Sequence, residues 1–223
     1  MNAPNNHIAL GNGIYTVPDL ALILQLPLPK VRRWLTDFYD ERLAGSKDRY
    51  SWGEGRNRAT NFLTLIEFYF FYMLRDQKIG ASKILEAHKH MSKELKTPYP
   101  FASCKLLVNK KDILYEVNSD TWVYADESNQ IVIYKLIEDF FKKIDFADNA
   151  LARRFWPLGK EHSIVVDPHH QFGQPVINGT NINAATVYSM YQSGERISTI
   201  GILYDLTEEQ VNDAIAFCKR KAA

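Results

Sequence analysis

The stretch Ile14-Tyr15-Thr16-Val17-Pro18-Asp19-Leu20-Ala21-Leu22-Ile23-Leu24-Gln25-Leu26-Pro27-Leu28-Pro29-Lys30-Val31-Arg32-Arg33-Trp34-Leu35 decides how this chain reads. Thr16 offers a side-chain oxygen to the unpaired N–H groups of a starting helix, and Pro18 is tolerated in that first turn because it lacks a donor that would go unused. Leu20, Leu22, Ile23 and Leu24 supply apolar positions. The helix is expected to stop near Leu26, since Pro27 disfavours the α conformation in the residue before it. Pro29 restarts a second helix, in which Val31, Trp34 and Leu35 fall at i, i+3 and i+4. That spacing buries a stripe and turns Lys30, Arg32 and Arg33 to solvent.

Beyond this pair of short helices, apolar periodicity is lost from Phe38 to Asn61. Gly45, Gly53 and Gly55 among scattered basic residues suggest a loop or a small β wing there. Asn61 then caps a helix through Phe62, Leu65, Ile66, Tyr69, Phe70 and Met73, which we expect to end at Gly80 as a left-handed terminator. Phe68, Phe71 and Tyr72 lie off its main apolar face. A second amphipathic helix runs from Ala81 to Lys96, with Ile84, Leu85, His88, Met91 and Leu95 on one side, and Pro98 and Pro100 close the unit.

The character changes after residue 100. Short β-prone runs at Cys104–Val108, Asp112–Val117, Thr121–Tyr124 and Gln130–Ile133 are broken by polar turns and predict a meander of hairpins. A helix from about Tyr134 to Ile144 and an aromatic turn at Phe155-Trp156-Pro157-Leu158-Gly159 are expected next. The last segment opens with the strand Ser163–Val166 and a turn-rich stretch. Three helices should follow: Asn183 to Gln192, Thr199 to Tyr204 capped by Ser198, and one opened by the capping box Thr207-Glu208-Glu209-Gln210. The fold class is therefore α+β, mainly helical, in three regions: residues 1–100, 101–162 and 163–223.

With 223 residues, 46% hydrophobic and 24% charged, the chain is long and apolar enough to bury a core. Its 27 Lys and Arg stand against 26 Asp and Glu, which excludes a uniformly basic nucleic-acid coat. The distribution is uneven. Residues 1–102 hold 14 basic and 10 acidic residues, residues 103–162 hold 9 and 10, and residues 163–223 hold 4 and 6. Between Lys30 and Arg58, 8 basic residues face 5 acidic ones, so a local basic patch belongs to the head. Cys104 and Cys218 make neither a disulfide framework nor a cysteine zinc site. No run approaches the ~18 apolar residues of a membrane span, and a soluble, cytoplasmic protein is expected.

The same residues resemble known families. Tyr15-Thr16-Val17, Val31-Arg32-Arg33-Trp34-Leu35, Leu74-Arg75 and Lys78–Ile84 are similar to the DNA-binding head of MerR-type winged helix-turn-helix proteins, which implies a recognition helix at Lys30–Leu35. Ile164–Pro168, Gly173–Ile182, Gly194-Glu195, Tyr204-Asp205-Leu206 and Val211–Ala214 resemble the small domain known only as domain of unknown function number four hundred and thirty-three. Where that pattern commonly has Arg after Gly-Thr, this chain has Asn181. Together with Tyr99–Ala102 and Arg153–Pro157, the order resembles the larger VapB-type antitoxins, whose partners are PIN-domain ribonuclease toxins. The resemblance implies a DNA-binding antitoxin that neutralises such a toxin and represses its own operon as a homodimer.

Each candidate residue also has a plainer reading. Lys30, Arg32 and Arg33 suit major-groove contact, and Arg49, Arg56 and Arg58 suit the DNA backbone, but both sets also fit a solvated surface. Phe68, Phe71 and Tyr72 are candidates for a dimer seam or for burial in their own domain. Arg153, Arg154, Phe155 and Trp156 fit a toxin contact or an interdomain clasp. His169 and His170 beside Asp167 lack a further ligand at a metal-site spacing, and neither metal nor cofactor is expected. No nucleophile elbow, paired-carboxylate or zinc-protease pattern occurs, so an enzyme is not expected. The rival function is a MerR-like regulator that binds a small ligand through Tyr115, Trp122 and Tyr124, without a toxin partner.

Overall fold

The computed structural model describes residues 11–44, 49–103, 106–109, 112–118, 121–126, 131–132, 142–147 and 151–219. About half of the described chain is helical, and the strands form several small sheets, so the α+β class holds.

Strand β1 (Tyr15–Thr16) leads directly into α1 (Val17–Leu24). The helix start is closed by two reciprocal bonds: Asp19 N donates to Thr16 Oγ1 at 3.3 Å, and Thr16 N donates to Asp19 Oδ2 at 2.8 Å. Gln25 adopts a left-handed conformation (φ 55°) and ends α1 ahead of Pro27. Helix α2 (Leu28–Arg33) carries Pro29 in its first turn.

Where a loop was expected after Phe38, the helix continues instead as a π-helical stretch, Trp34–Leu43. Ala44 N donates to Tyr39 O at 2.8 Å, the wide i→i+5 closure. Trp34 and Tyr39, five residues apart, are thereby both buried, a spacing that a 3.6-residue period does not flag.

The region after this helix contains β2 (Ser51–Trp52) and β3 (Ala59–Thr60), joined by a loop with a short 3₁₀ turn at Gly55–Asn57. They form an antiparallel sheet in the order β1-β3-β2. Asp40 anchors the hairpin to the extended helix by accepting from Tyr50 N and Ser51 N, each at 3.1 Å, and from Ser51 Oγ. Gly53 turns the loop at φ 74°, where an added Cβ would stand 2.6 Å from Asn57 O.

Helix α3 (Phe62–Asp76) is capped by Asn61, whose Oδ1 accepts from Thr64 N at 2.9 Å. Its left-handed terminator is Lys78 (φ 64°), not Gly80. Gly80 has φ −62° and stands at the start of α4 (Ala81–Glu94), because the chain reverses two residues earlier than the glycine suggested. Ile84, Leu85, His88 and Met91 line the buried side of α4, as their spacing predicts.

Strands β4 (Leu106–Asn109), β5 (Asp112–Asn118), β6 (Thr121–Tyr124) and β7 (Ile131–Val132) pair antiparallel in chain order. Most of the helix expected over Tyr134 to Ile144 lies outside the described residues. Its final residue instead opens β8 (Ile144–Phe146), which pairs with β9 (Ala152–Phe155) through Ile144 and Phe155. Thus Arg153, Arg154 and Phe155 are strand residues and only Trp156 onward makes the turn.

Phe155 continues the connection into the last segment through paired backbone bonds with Val166 of 2.9 and 2.8 Å. There β10 (Ile164–Val165) and β11 (Val176–Ile177) form a two-stranded sheet that supports α5 (Ala184–Gln192), α6 (Ile197–Tyr204) and α7 (Glu208–Lys219). The capping box of α7 is formed, with Thr207 N donating to Gln210 Oε1 at 2.9 Å and Gln210 N to Thr207 Oγ1 at 3.2 Å. Ser198 does not cap α6, because that helix already begins at Ile197 and Arg196 takes the capping position. A hydrophobic core runs without a break from Tyr15 to Phe217. Among the described residues, no helix is long and apolar enough to cross a membrane.

Candidate functional site

The exposed candidate cations of the head lie on α2 and on and beside the hairpin. Arg32 and Arg33 are exposed because Val31, Trp34 and Leu35 take the buried stripe. Lys30 is half-buried, its ammonium 5.1 Å from the Trp34 ring and 5.6 Å from the Tyr72 ring. These aromatic faces hold the charge in place. Arg49 is exposed beyond Ala44, and Arg56 is exposed in the β2–β3 loop.

Arg58 behaves differently. Its guanidinium donates to Thr36 Oγ1 at 2.7 Å and stands 4.0 Å from Asp40, so it ties the hairpin to the helix.

The fold brings two cations that are distant in sequence to Lys30 and Arg33. Arg75, whose guanidinium donates to Ile79 O at 2.6 Å, and Lys78, at the end of α3, join Lys30 and Arg33 around a cleft of about 290 Å³ floored by Trp34, Phe38 and Tyr72, with the carboxylate of Asp76 also in its wall. The signal in the sequence was the basic ending of α3, but only the packing of α3 on α2 brings it here.

Of the dimer-seam candidates, Phe68 and Phe71 are fully buried. Phe71 lies 4.8 Å from Trp34 and Phe68 4.6 Å from Tyr39, ring centre to ring centre. Both fill the interior of the head and present nothing to a second chain, while Tyr72 is half-exposed under Lys30. The helix is apolar on nearly all sides because the π-helical stretch and β9 both cover it.

Within that interior, Glu67 was not singled out by its sequence neighbourhood. Its carboxylate accepts from Phe101 N at 2.8 Å and Ala102 N at 3.2 Å. Its other oxygen approaches His88 Nε2 at 3.0 Å, without hydrogen-bonding alignment. Tyr39 packs close by, and burial followed by the Glu67 charge pushes its hydroxyl well above the ordinary tyrosine value.

Arg153 and Arg154 alternate across β9. Arg153 is exposed, whereas Arg154 Nε donates to Asp167 Oδ2 at 3.0 Å. Phe155 is buried 5.0 Å from the Tyr69 ring of α3, and Trp156 is buried with its Nε1 donating to Asp145 Oδ2 at 2.9 Å. The two aromatics are therefore a clasp between regions; of the two arginines Arg153 is exposed, and Arg154 is half-buried against Asp167. Burial pushes the Asp145 carboxyl up, but the Lys160 and Trp156 donors outweigh it and hold the group below its ordinary range.

Beside this strand, Arg154, Asp167, His170 and the turn Asn178-Gly179-Thr180-Asn181 surround a recess of about 380 Å³ with Val165 and Val176 at its apolar floor. His170 Nε2 is 3.0 Å from Thr180 O, and His169 is exposed with its N–H donating to Asp167 Oδ1 at 2.9 Å. Among the described residues, no three His, Cys, Asp or Glu side chains converge as a metal site would require. Of the aromatics weighed for a ligand pocket, Tyr115 is buried and Tyr124 half-buried; the Trp122 side chain lies outside the described residues.

Comparison with known proteins agrees with this architecture. A family model described as a protein of unknown function (DUF433) matches residues 164–218, the segment that holds β10 to α7. The chain is 23% identical over 222 residues to a protein of Mycobacterium tuberculosis described as "Putative antitoxin VapB45", covering 91% of this chain and 92% of that one. The fold is similar to the X-ray crystal structure of Rv2018 from Mycobacterium tuberculosis, with a TM-score of 0.64 at 18% identity, over 90% of this chain and 96% of the other. Along nearly its whole length, then, the chain resembles a protein described as a "Putative antitoxin", and its last segment matches the DUF433 model.

Proposed function

We propose that this chain is the antitoxin of a toxin–antitoxin pair, a non-catalytic, cytoplasmic protein that neutralises a PIN-domain ribonuclease and represses its own operon. The observation that carries the reading is the near full-length similarity, at 23% identity, to a protein described as a "Putative antitoxin".

The head supports the DNA half. Helices α1 and α2, joined by a tight turn and followed by the β2–β3 hairpin, have the order of a winged helix-turn-helix. Arg32 and Arg33 on the exposed side of α2 read base edges or phosphates in the major groove. Lys30, Arg49, Arg56, Arg75 and Lys78 neutralise the flanking backbone. For the toxin half, Arg153 and Arg154 are the cations offered to the acidic centre of a PIN-type nuclease, with Phe155 and Trp156 setting the strand that presents them.

Co-expression with the adjacent open reading frame tests the pairing. The neighbour alone should arrest growth, and this chain should relieve the arrest and co-purify with it. A neighbour that is neither toxic nor bound overturns the antitoxin reading. Binding to the promoter should weaken steeply with salt, and Arg32→Ala with Arg33→Ala should reduce affinity about 10- to 100-fold. Unchanged affinity overturns the assignment of α2.

A further inference from the structure

The cleft between α2 and the end of α3 joins positive charge to aromatic surface. Lys30, Arg33, Arg75 and Lys78 stand around it with one carboxylate, Asp76, over the floor of Trp34, Phe38 and Tyr72. Among the described residues, none of these charged groups takes part in an ion pair, so the positive excess is left unmatched.

Two of the cations are held in place. Arg75 is fixed by its bond to Ile79 O, and Lys30 lies over the Trp34 and Tyr72 rings. Lys78 carries its charge at a left-handed position, φ 64°, which the backbone reserves mostly for glycine. A lysine there is an outlier that points to a use for its side chain. Ala81, in the same wall, is the first residue of α4, and that helix start has no side-chain cap, so its positive end adds to the same field.

The floor and the carboxylate separate this cleft from a bed for the DNA backbone. The phosphates of a duplex come with their bases stacked inward, and they gain nothing from the half-buried rings of Phe38 and Tyr72. Asp76 repels a polyanion, whereas a carboxylate accepts from the N–H groups of a base. A charge for the cations, a planar ring for the aromatic floor and an N–H edge for the carboxylate together describe a nucleotide. The volume of about 290 Å³ stands at the lower end of small-molecule sites, which leaves room for one such unit and not for a strand.

We propose that this cleft binds a nucleoside monophosphate, with the phosphate among Arg33, Arg75 and Lys78, the base against the aromatic floor and Asp76 accepting from its N–H edge. The DNA half of the proposed function uses the same cations, so promoter and nucleotide compete for them. The nucleotide site itself does not rest on that reading.

Calorimetric titration of the full chain with GMP, in the absence of DNA, tests it. GMP is the probe because its ring N–H and amino group lie side by side and match the two oxygens of a carboxylate. It should bind at least about 10-fold more tightly than guanosine or inorganic phosphate, each of which supplies only part of the contacts. Arg33→Ala combined with Lys78→Gly should weaken GMP about 10- to 100-fold. Lys78→Gly alone should weaken it while the melting temperature holds or rises, a combination that a purely structural lysine would not give. Lys89→Ala, which removes an exposed cation elsewhere on α4, should leave GMP binding unchanged. No heat of GMP binding at about 1 mM overturns the proposal. So does GMP that binds no more tightly than phosphate, affinity retained in the double variant, or an equal loss in Lys89→Ala. A single-stranded oligonucleotide that binds where GMP does not would assign the cleft to a strand, and overturns it as well.

Discussion

Glu67 holds the head to the chain that leaves it. Two backbone N–H groups, at Phe101 and Ala102, end on its carboxylate inside an apolar interior, and Ala102 O in turn accepts from Ala152 N of β9 at 2.8 Å. Glu67→Ala leaves both donors and the His88 ring buried without that partner. With about 1–3 kcal/mol for each stranded donor, the expected loss is about 2–5 kcal/mol in denaturant unfolding, and Glu67→Gln, which keeps an acceptor, should cost less.

Asp213 plays a comparable part on α7. It accepts from Ser163 N and Ser163 Oγ, each at 2.7 Å, and meets His162 Nδ1 at 2.8 Å. Burial raises this carboxyl, but the Ser163 and His162 bonds outweigh it and hold it below the ordinary aspartate value of 3.8. A carboxyl depressed in the folded state stabilises the fold above its unfolded value and loses that contribution as pH falls through the folded one. Asp213→Asn should therefore cost about 1–2 kcal/mol at neutral pH. The gap between the two proteins should narrow in unfolding curves as pH falls from 3.8 toward the lower folded-state value.

At the scale of the element, the helix starts were legible because they are local. Thr16 with Asp19, Asn61, and Thr207 with Gln210 are pairs three residues apart whose geometry follows from the helix itself. The extension of α2 to Leu43 was not legible, since its buried residues follow a π-helical spacing imposed by packing against α3. The β2–β3 hairpin shows the same division. A wing was one reading of its glycines and cations, but the separate tasks of Arg56 and Arg58 depend on what lies opposite each. Arg56→Ala should weaken promoter binding and lower the salt slope by about one, with melting unchanged. Arg58→Ala removes the tie to Thr36 and Asp40 and should lower the melting temperature as well. Equal thermal behaviour of the two variants would contradict this assignment.

For the whole molecule, the three regions share one core, and Phe155 is where they meet: it packs on Tyr69 of the head, pairs with Ile144 of β8 and bridges to Val166 of the last segment. Phe155→Ala should cost about 3–5 kcal/mol. Because the lost contact joins regions, the thermal transition should broaden as well as shift, which calorimetry would record. The sequence by itself determined the helix pair of the head, the basic side of α2, the change to strands after residue 100 and the closing helices, since each depends on periodicity, caps and turn residues within a few positions. Only the tertiary structure decided that Phe68, Phe71, Phe155 and Trp156 are interior and that Arg75 and Lys78 reach Lys30 and Arg33. Burial is a property of what packs against a side chain, and a residue's type and spacing do not name its distant neighbours.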